Sequence, residues 1–391
     1  MPSHHHHAVL LCTVGGLLWS AESPPPPQPA PAQDESAIVI EAAAVADEAV
    51  GAPLPVPAID AASALRALPG AGVIDNGPLT GLAYDAGLSE IRLGLAIDGL
   101  PVSSACPNHM DPGLSHLPGT LAEEVTRRRG VAALDGAFGG LGASFSAEAW
   151  QPGFSPAGWQ SAGRLQTVAR QADRAQAHGA SAGMRGNSAW WLVDASVERG
   201  DDRRSADGVV AGTFFDREAI GGRVGGRYGP VTGDIGYMQL TSGHVGTPAL
   251  PMDMISADAE RVTAAAEGAF AEQEWRLQAR WATTDHVMDN FTLRPGPAEP
   301  MRRRVATAVV DEWSAEGRLD GVIGGIDWSA GLGAAGSEHG TVITNPMMAA
   351  FVVDSFHAID DTRLAAFGSA GGAWTDDWAW RAGLRLTRQE H

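Results

Sequence analysis

Residues Trp275–Thr284 read WRLQARWATT: Trp275, Leu277, Ala279 and Trp281 alternate with Arg276, Gln278 and Arg280. A strand sends successive side chains to opposite faces, so this segment has one apolar and one charged face. The pattern recurs on both sides. In Trp191–Glu198 (WLVDASVE), Trp191, Val193, Ala195 and Val197 oppose Asp194, Ser196 and Glu198. In Trp374–Thr387, Trp374, Trp378, Trp380, Leu384 and Leu386 oppose Asp377, Arg381, Arg385 and Thr387. From about Leu141 onward the chain is a run of such segments, about a dozen of near ten residues each, separated by Gly/Asp turns. A soluble sandwich also alternates, but charged side chains on its enclosed face are costly. A barrel with an apolar exterior and a wet lumen accommodates both faces, and Trp near several strand ends suits an interfacial girdle.

Upstream, residues 53–140 read as a small mixed α/β unit. Asp60–Leu68 (DAASALRAL) has helical spacing and stops at Pro69-Gly70, and Ile91–Asp98 (IRLGLAID) alternates as a strand turned by Gly99. The fold class expected is therefore mainly β, an α/β domain followed by an antiparallel transmembrane barrel. No apolar run reaches the ~18 residues of a spanning helix. Residues 1–23 read as a signal peptide, with the apolar stretch Ala8–Trp19 (AVLLCTVGGLLW) and cleavage near Ala21–Ser23. Its n-region is His4–His7 in place of Lys or Arg, which an expression scar also explains. Residues 24–52 form a spacer opened by the polyproline run PPPPQPAP at Pro24–Pro31. Within it, Asp34–Glu41 (DESAIVIE) is a β-prone run able to pair with another protein's sheet edge, or to serve as a stray strand of the first domain.

A net charge of −19 argues against nucleic acid as a partner. All 27 basic residues are Arg, and without Lys a P-loop NTPase, a kinase and a pyridoxal enzyme are excluded. No HExxH, GxSxG or CxxC occurs, and Cys106 has only His109 nearby as a base, so a non-enzyme without organic cofactor is expected. The only cysteines are Cys12 and Cys106. Removal of the leader leaves Cys106 as a solitary exported thiol, which needs a reason.

Ile97–Pro112 (IDGLPVSSACPNHMDP) resembles the plug domain of TonB-dependent outer-membrane receptors, in particular their copper-receptor branch. Gly246–Met254 (GTPALPMDM) and Asp285–Arg294 (DHVMDNFTLR) are similar to the same branch, and Leu65–Gly70 (LRALPG) resembles the plug's first helix. The resemblance runs from about Ser36 to the end. It implies a plug at 53–140 inside a 22-stranded barrel, of which residues 141–391 supply about half the strands; the chain reads as a fragment, since an open half-barrel leaves unpaired backbone in lipid. It implies a TonB box at Ser36, Ala37, Ile38, Val39, Ile40 and Glu41, contacting the inner-membrane TonB complex. The location implied is the outer membrane of a Gram-negative bacterium, in contact with its lipid. Three departures stand out. Tyr84–Gly87 (YDAG) replaces the family's Arg-Gly pair, Thr126–Gly130 (TRRRG) replaces an apolar strand, and the terminal LTRQEH lacks a closing aromatic residue.

The branch carries its metal ligands at motif positions that fall here on Cys106, Met110, His286 and Met288. The residues themselves suit this. One turn opened by Pro107 sets Cys106 and Met110 on one side. His286 and Met288, two apart on a strand, share the polar face of Arg276, Gln278, Arg280, Ala282 and Thr284. A thiolate, two thioethers and an imidazole favour Cu(I), whereas Mg²⁺ and Ca²⁺ want oxygens and zinc seldom takes Met. Singly, a Met is more often core filler and a His a surface residue; the four together carry the reading. Met252 and Met254 form a secondary cluster in a long external connection, Met347 and Met348 resemble a further pair, and His109 is a weaker candidate. The function expected is binding and import of copper, as the ion or a complex. The alternatives are a receptor for a siderophore or other chelate, and a copper-sequestering protein of the outer membrane or periplasm without transport.

Overall fold

The computed structural model describes residues 58–390 except Pro107, 130–133, 135, 141 and 376–377, together with the short strands His7–Thr13, Leu18–Trp19 and Leu54–Pro55. The Pro-rich spacer and the expected TonB box at Ser36–Glu41 lie outside the described residues, as does most of the expected leader.

The plug comes first. Asp60 caps a 3-10 helix, Ala61–Ala67, its carboxylate accepting from the Ser63 amide at 2.7 Å. Leu68 leaves the helical region and Pro69-Gly70 follow, so the element stays a 3-10 turn where an α-helix was expected. Strands β1 (Ala71–Asp75) and β2 (Gly81–Asp85) form a hairpin. A second sheet holds β3 (Gly94–Ile97), β4 (Ala122–Arg129) and β5 (Ala143–Ala149); β5 runs parallel to β3 and antiparallel to β4. Leu65, Ile97, Leu114, Leu117, Val125 and Phe145 close the plug's core, each at most 1% exposed. The expected strand over 91–98 shortens to β3 because Glu90–Arg92 make a 3-10 turn entered through Glu90 at φ 43°.

The wall is one meander of eleven long strands. In chain order they are β6 (Gln160–Arg170), β7 (Ala175–Arg185), β8 (Ala189–Gly200), β9 (Phe215–Tyr228), β10 (Val231–Val245), β11 (Asp253–Phe270), β12 (Gln273–Asp289), β13 (Val305–Ile323), β14 (Ile326–Thr344), β15 (Val352–Thr375) and β16 (Trp378–Glu390). Each pairs antiparallel with the next, and β16 also pairs through its backbone with His7–Thr13 and Leu18–Trp19. The wall thus begins at Gln160, not at 141. Ala143–Ala149 alternates like a wall strand, with Phe145 and Ala147 buried, but belongs to the plug sheet; alternation alone does not say which sheet a strand joins.

Polarity is inverted relative to a soluble protein. On β8, Trp191, Val193 and Val197 are exposed while Ser196 and Glu198 are buried. On β12, Leu277 and Trp281 are exposed while Arg280, Thr284 and His286 are buried. Apolar residues outside and charged residues within is the arrangement of a transmembrane barrel. No helix among the described residues is long and apolar enough to cross a membrane.

Plug and wall meet through paired polar groups. Arg217 on β9, 1% exposed, donates from Nε to Glu198 at 2.6 Å, from Nη1 to the Ser115 carbonyl at 2.6 Å and from Nη2 to the Ile59 carbonyl at 3.0 Å. Arg223 on the same strand holds Asp98 of the Asp-Gly turn at 2.5 Å. Gly179 of β7 faces Thr120, where an added Cβ would stand 2.5 Å from the threonine side chain; only the hydrogen of glycine lets the plug seat that closely. Within the plug, Asp85 of the YDAG stretch is 1% exposed and accepts from Arg129 Nε at 3.1 Å, with Arg127 Nε at 4.0 Å. The carboxylate of the YDAG stretch thus answers the arginines of the TRRRG stretch.

Candidate metal centre

Cys106 sits on the loop after β3, its thiol beside Met288 of β12. The expected helical turn is instead a single hydrogen-bonded turn, in which the His109 amide donates to the Cys106 carbonyl at 2.9 Å and His109 takes φ 51°. A left-handed residue there breaks helical continuation, yet Met110 still returns to the side of Cys106. Both are buried, at 2% and 1% exposure.

On the wall, alternation along β12 turns His286 and Met288 inward while Asp285 and Trp281 face out. The neighbouring strand brings Met254 into register opposite Met288, past a bulge between Met254 and Ser256. Cys106, Met110, Met254 and Met288 belong to one apolar cluster, with Met252 half-buried against it. The Cys106 thiol lies 3.9 Å from the Met288 sulfur. His286 is fully buried, and neither Nδ1 nor Nε2 has a hydrogen-bond partner. Nδ1 stands 3.4 Å from Asp111 Oδ1, in ion-pair range, while Nε2 has no partner, and a buried imidazole with an unsatisfied nitrogen is costly unless something fills the gap. Ligand atoms of Cys106, Asp111 and His286 lie within 4.8 Å of one another.

The structure therefore brings Cys106, Met110, His286 and Met288 together, and adds Met254 to the same cluster. Met252 lies at its margin. Met347 is exposed in a connection after β14, and His109, half-buried with Nδ1 unpartnered, stands on the turn itself. One residue that sequence reasoning missed is Asp111. It directly follows Met110 in the CPNHMDP run, and its position between a candidate ligand and Pro112 was the available signal.

Burial pushes the Cys106 thiol up to about 11, and the Asp111 charge adds to the effect. Without a metal the group is a neutral thiol. Burial also opposes ionisation of Asp111, but the imidazoles of His116 and His286 outweigh it and hold the carboxyl well below the usual range. A cation binding here takes a thiolate and thus displaces a proton. The Met-rich lining suits a soft ion with low demand for water.

The loops carrying the methionines are tied down. Arg294 donates from Nε to Asp253 at 2.7 Å, and to the carbonyls of Leu250 at 2.8 Å and Thr247 at 3.1 Å. Asp289 accepts from the amides of Phe291 and Thr292 at 3.0 and 2.8 Å.

A plug packed against an inside-polar antiparallel wall is the fold of TonB-dependent receptors, here with a partial barrel. Among solved structures the chain is similar to the copper transporter OprC, with a TM-score of 0.76 and 18% identity, over 87% of this chain and 55% of that one. It is also similar to a ferric enterobactin receptor (PfeA) mutant from Pseudomonas aeruginosa, with a TM-score of 0.62 and 15% identity, over 84% of this chain and 55% of that one. The FrpB iron transporter from Neisseria meningitidis gives a TM-score of 0.62 and 12% identity, over 85% of this chain and 56% of that one. The chain thus spans little more than half the length of these proteins. No protein-family model and no curated protein matches it.

Proposed function

We propose that this chain is part of a TonB-dependent receptor of a Gram-negative outer membrane that binds copper as its substrate, Cu(I) above all, between plug and barrel. Cys106, Met110, His286 and Met288 are the ligands, and Met254 and Met252 line the approach. TonB engages Ser36–Glu41 and supplies the energy for import. The observation that carries the reading is the His286 imidazole, buried with Nε2 unpartnered beside one thiol and several thioethers. A siderophore would call for a roomy polar pocket at this point, and the cluster is tight and apolar.

The test is Cu(I) titration of the purified protein against a competing chelator. Cys106→Ser and His286→Ala should each weaken binding on the order of 100-fold, with Met288→Leu weaker by a smaller factor. Unchanged affinity in all three rejects the metal reading. Deleting Ser36–Glu41 from the full-length receptor separates import from storage. Import predicts that binding survives and cellular uptake stops; sequestration without transport predicts that neither changes.

A further inference from the structure

Asp111 is in contact with both halves of the centre, and its lone pairs can be counted. Oδ1 accepts from the Ser104 hydroxyl at 2.6 Å and the Cys106 amide at 2.9 Å, and Oδ2 accepts from the Ala105 amide at 2.8 Å. An ionised carboxylate has about four lone-pair sites. Three are used within the loop that carries Cys106, two of them on Oδ1; the free site is on Oδ2, 3.7 Å from His116 Nε2, and the carboxylate is 4% exposed. Oδ1 also stands 3.4 Å from His286 Nδ1, across the seam between plug and wall. The backbone carbonyl of the same aspartate is bonded to His116 Nε2 at 3.1 Å, which fixes the residue from behind.

We propose that Asp111 is a positioning residue, which keeps the proton of His286 on Nδ1 and leaves the Nε2 lone pair free for the soft cation. It is not itself a ligand. The inference rests on the copper reading for the identity of the ion, but the proton's location is a property of the metal-free protein. The physical reasons are two. A carboxylate already engaged by three donors has little electron density to offer a cation. And a histidine that ligates through one nitrogen is commonly oriented by an acceptor at the other. The Nδ1 to Oδ1 separation of 3.4 Å is an electrostatic contact, which favours the proton on the nitrogen that faces the carboxylate. The same carboxylate therefore shapes the thiol loop of the plug and the imidazole of the wall, so the two sides of the centre share a single reference point.

The test is two-bond ¹H–¹⁵N correlation of histidine-labelled protein without metal, with the His286 signal assigned by its loss in His286→Gln. The expected result is the Nδ1–H tautomer in the unaltered protein; an Nε2–H tautomer overturns the proposal and needs no Asp111 variant to be folded. In Asp111→Asn, whose amide can donate to Nδ1, the tautomer should shift toward Nε2–H and Cu(I) affinity should fall about 10- to 100-fold, with the imidazole contribution to X-ray absorption of the bound metal weakened. Asp111→Glu should recover part of both. An unshifted tautomer with unshifted affinity overturns the proposal, as does a carboxylate oxygen bonded to the metal in the unaltered protein. Failure of the unaltered protein to bind Cu(I) removes the copper reading instead and leaves the tautomer result standing.

Discussion

At Glu90 the plug carries an acid with 8% exposure whose Oε1 accepts from the Ala83 amide at 2.8 Å. Burial outweighs that bond and raises its pKa to about 7 from 4.5. The sign of the consequence follows. Below 4.5 both folded and unfolded chains hold the proton. Between 4.5 and about 7 the unfolded chain has released it while the folded plug keeps it, so stability falls as pH rises through that window and levels off above it. The loss is on the order of 3 kcal/mol, at about 1.4 kcal/mol for each tenfold change in proton affinity. Glu90→Gln, which keeps the acceptor for Ala83, should remove the slope. Urea midpoints for the plug measured from about pH 4 to pH 8 check it, and parallel curves for the two proteins would contradict it.

Among the elements, β2 and β4 of the plug hold a buried carboxylate against two arginines. Asp85 sits under Arg129 and Arg127, while Arg127 Nη1 also donates to the Pro69 carbonyl at 2.8 Å. Removing the carboxylate takes away a buried charge that faces both guanidinium groups, which destabilises the plug. Asp85→Ala should therefore loosen the β1–β2 hairpin, seen as faster amide exchange at Val73 and Ala83, and exchange rates matching the unaltered protein would refute this. The sequence displayed both halves of this pairing, as YDAG and TRRRG, but only as separate irregularities. Alternation is a local signal and fixed the inward face of β12 correctly down to His286 and Met288. It could not assign Ala143–Ala149 to the plug, because that depends on partners distant in the chain. Nor could it show the left-handed turn at His109, which reflects how the loop must bend to bring Met110 back, or the opposition of Met254 and Met288, which depends on a bulge. The residues that meet at the centre were legible from residue type and motif. The role of Asp111 was not, because hydrogen-bond acceptance leaves no periodic trace.

For the molecule as a whole, the exterior is the informative surface. Trp281, near the middle of β12, is 46% exposed, and Trp313 lies opposite it on β13 at 47%. On a water-soluble sheet, exchanging an exposed Trp for Arg costs little. On a lipid-facing wall the same change near the bilayer midplane costs about 2–4 kcal/mol. Trp281→Arg should accordingly depress folding into phospholipid vesicles while leaving Arg280 and Glu312, paired on the inner face, in contact. Equal folding yields for the two proteins in vesicles would argue that this face never meets lipid.

The guanidinium of Arg217 grips the stopper at two carbonyls far apart in sequence, Ile59 near its start and Ser115 well inside it. A tug from the amino-terminal side reaches the first grip before the second. Under such a pull the two grips would load one after the other, with the cation held by Glu198 throughout. Parting them in turn would lower each barrier relative to severing both grips at once, at the same total cost.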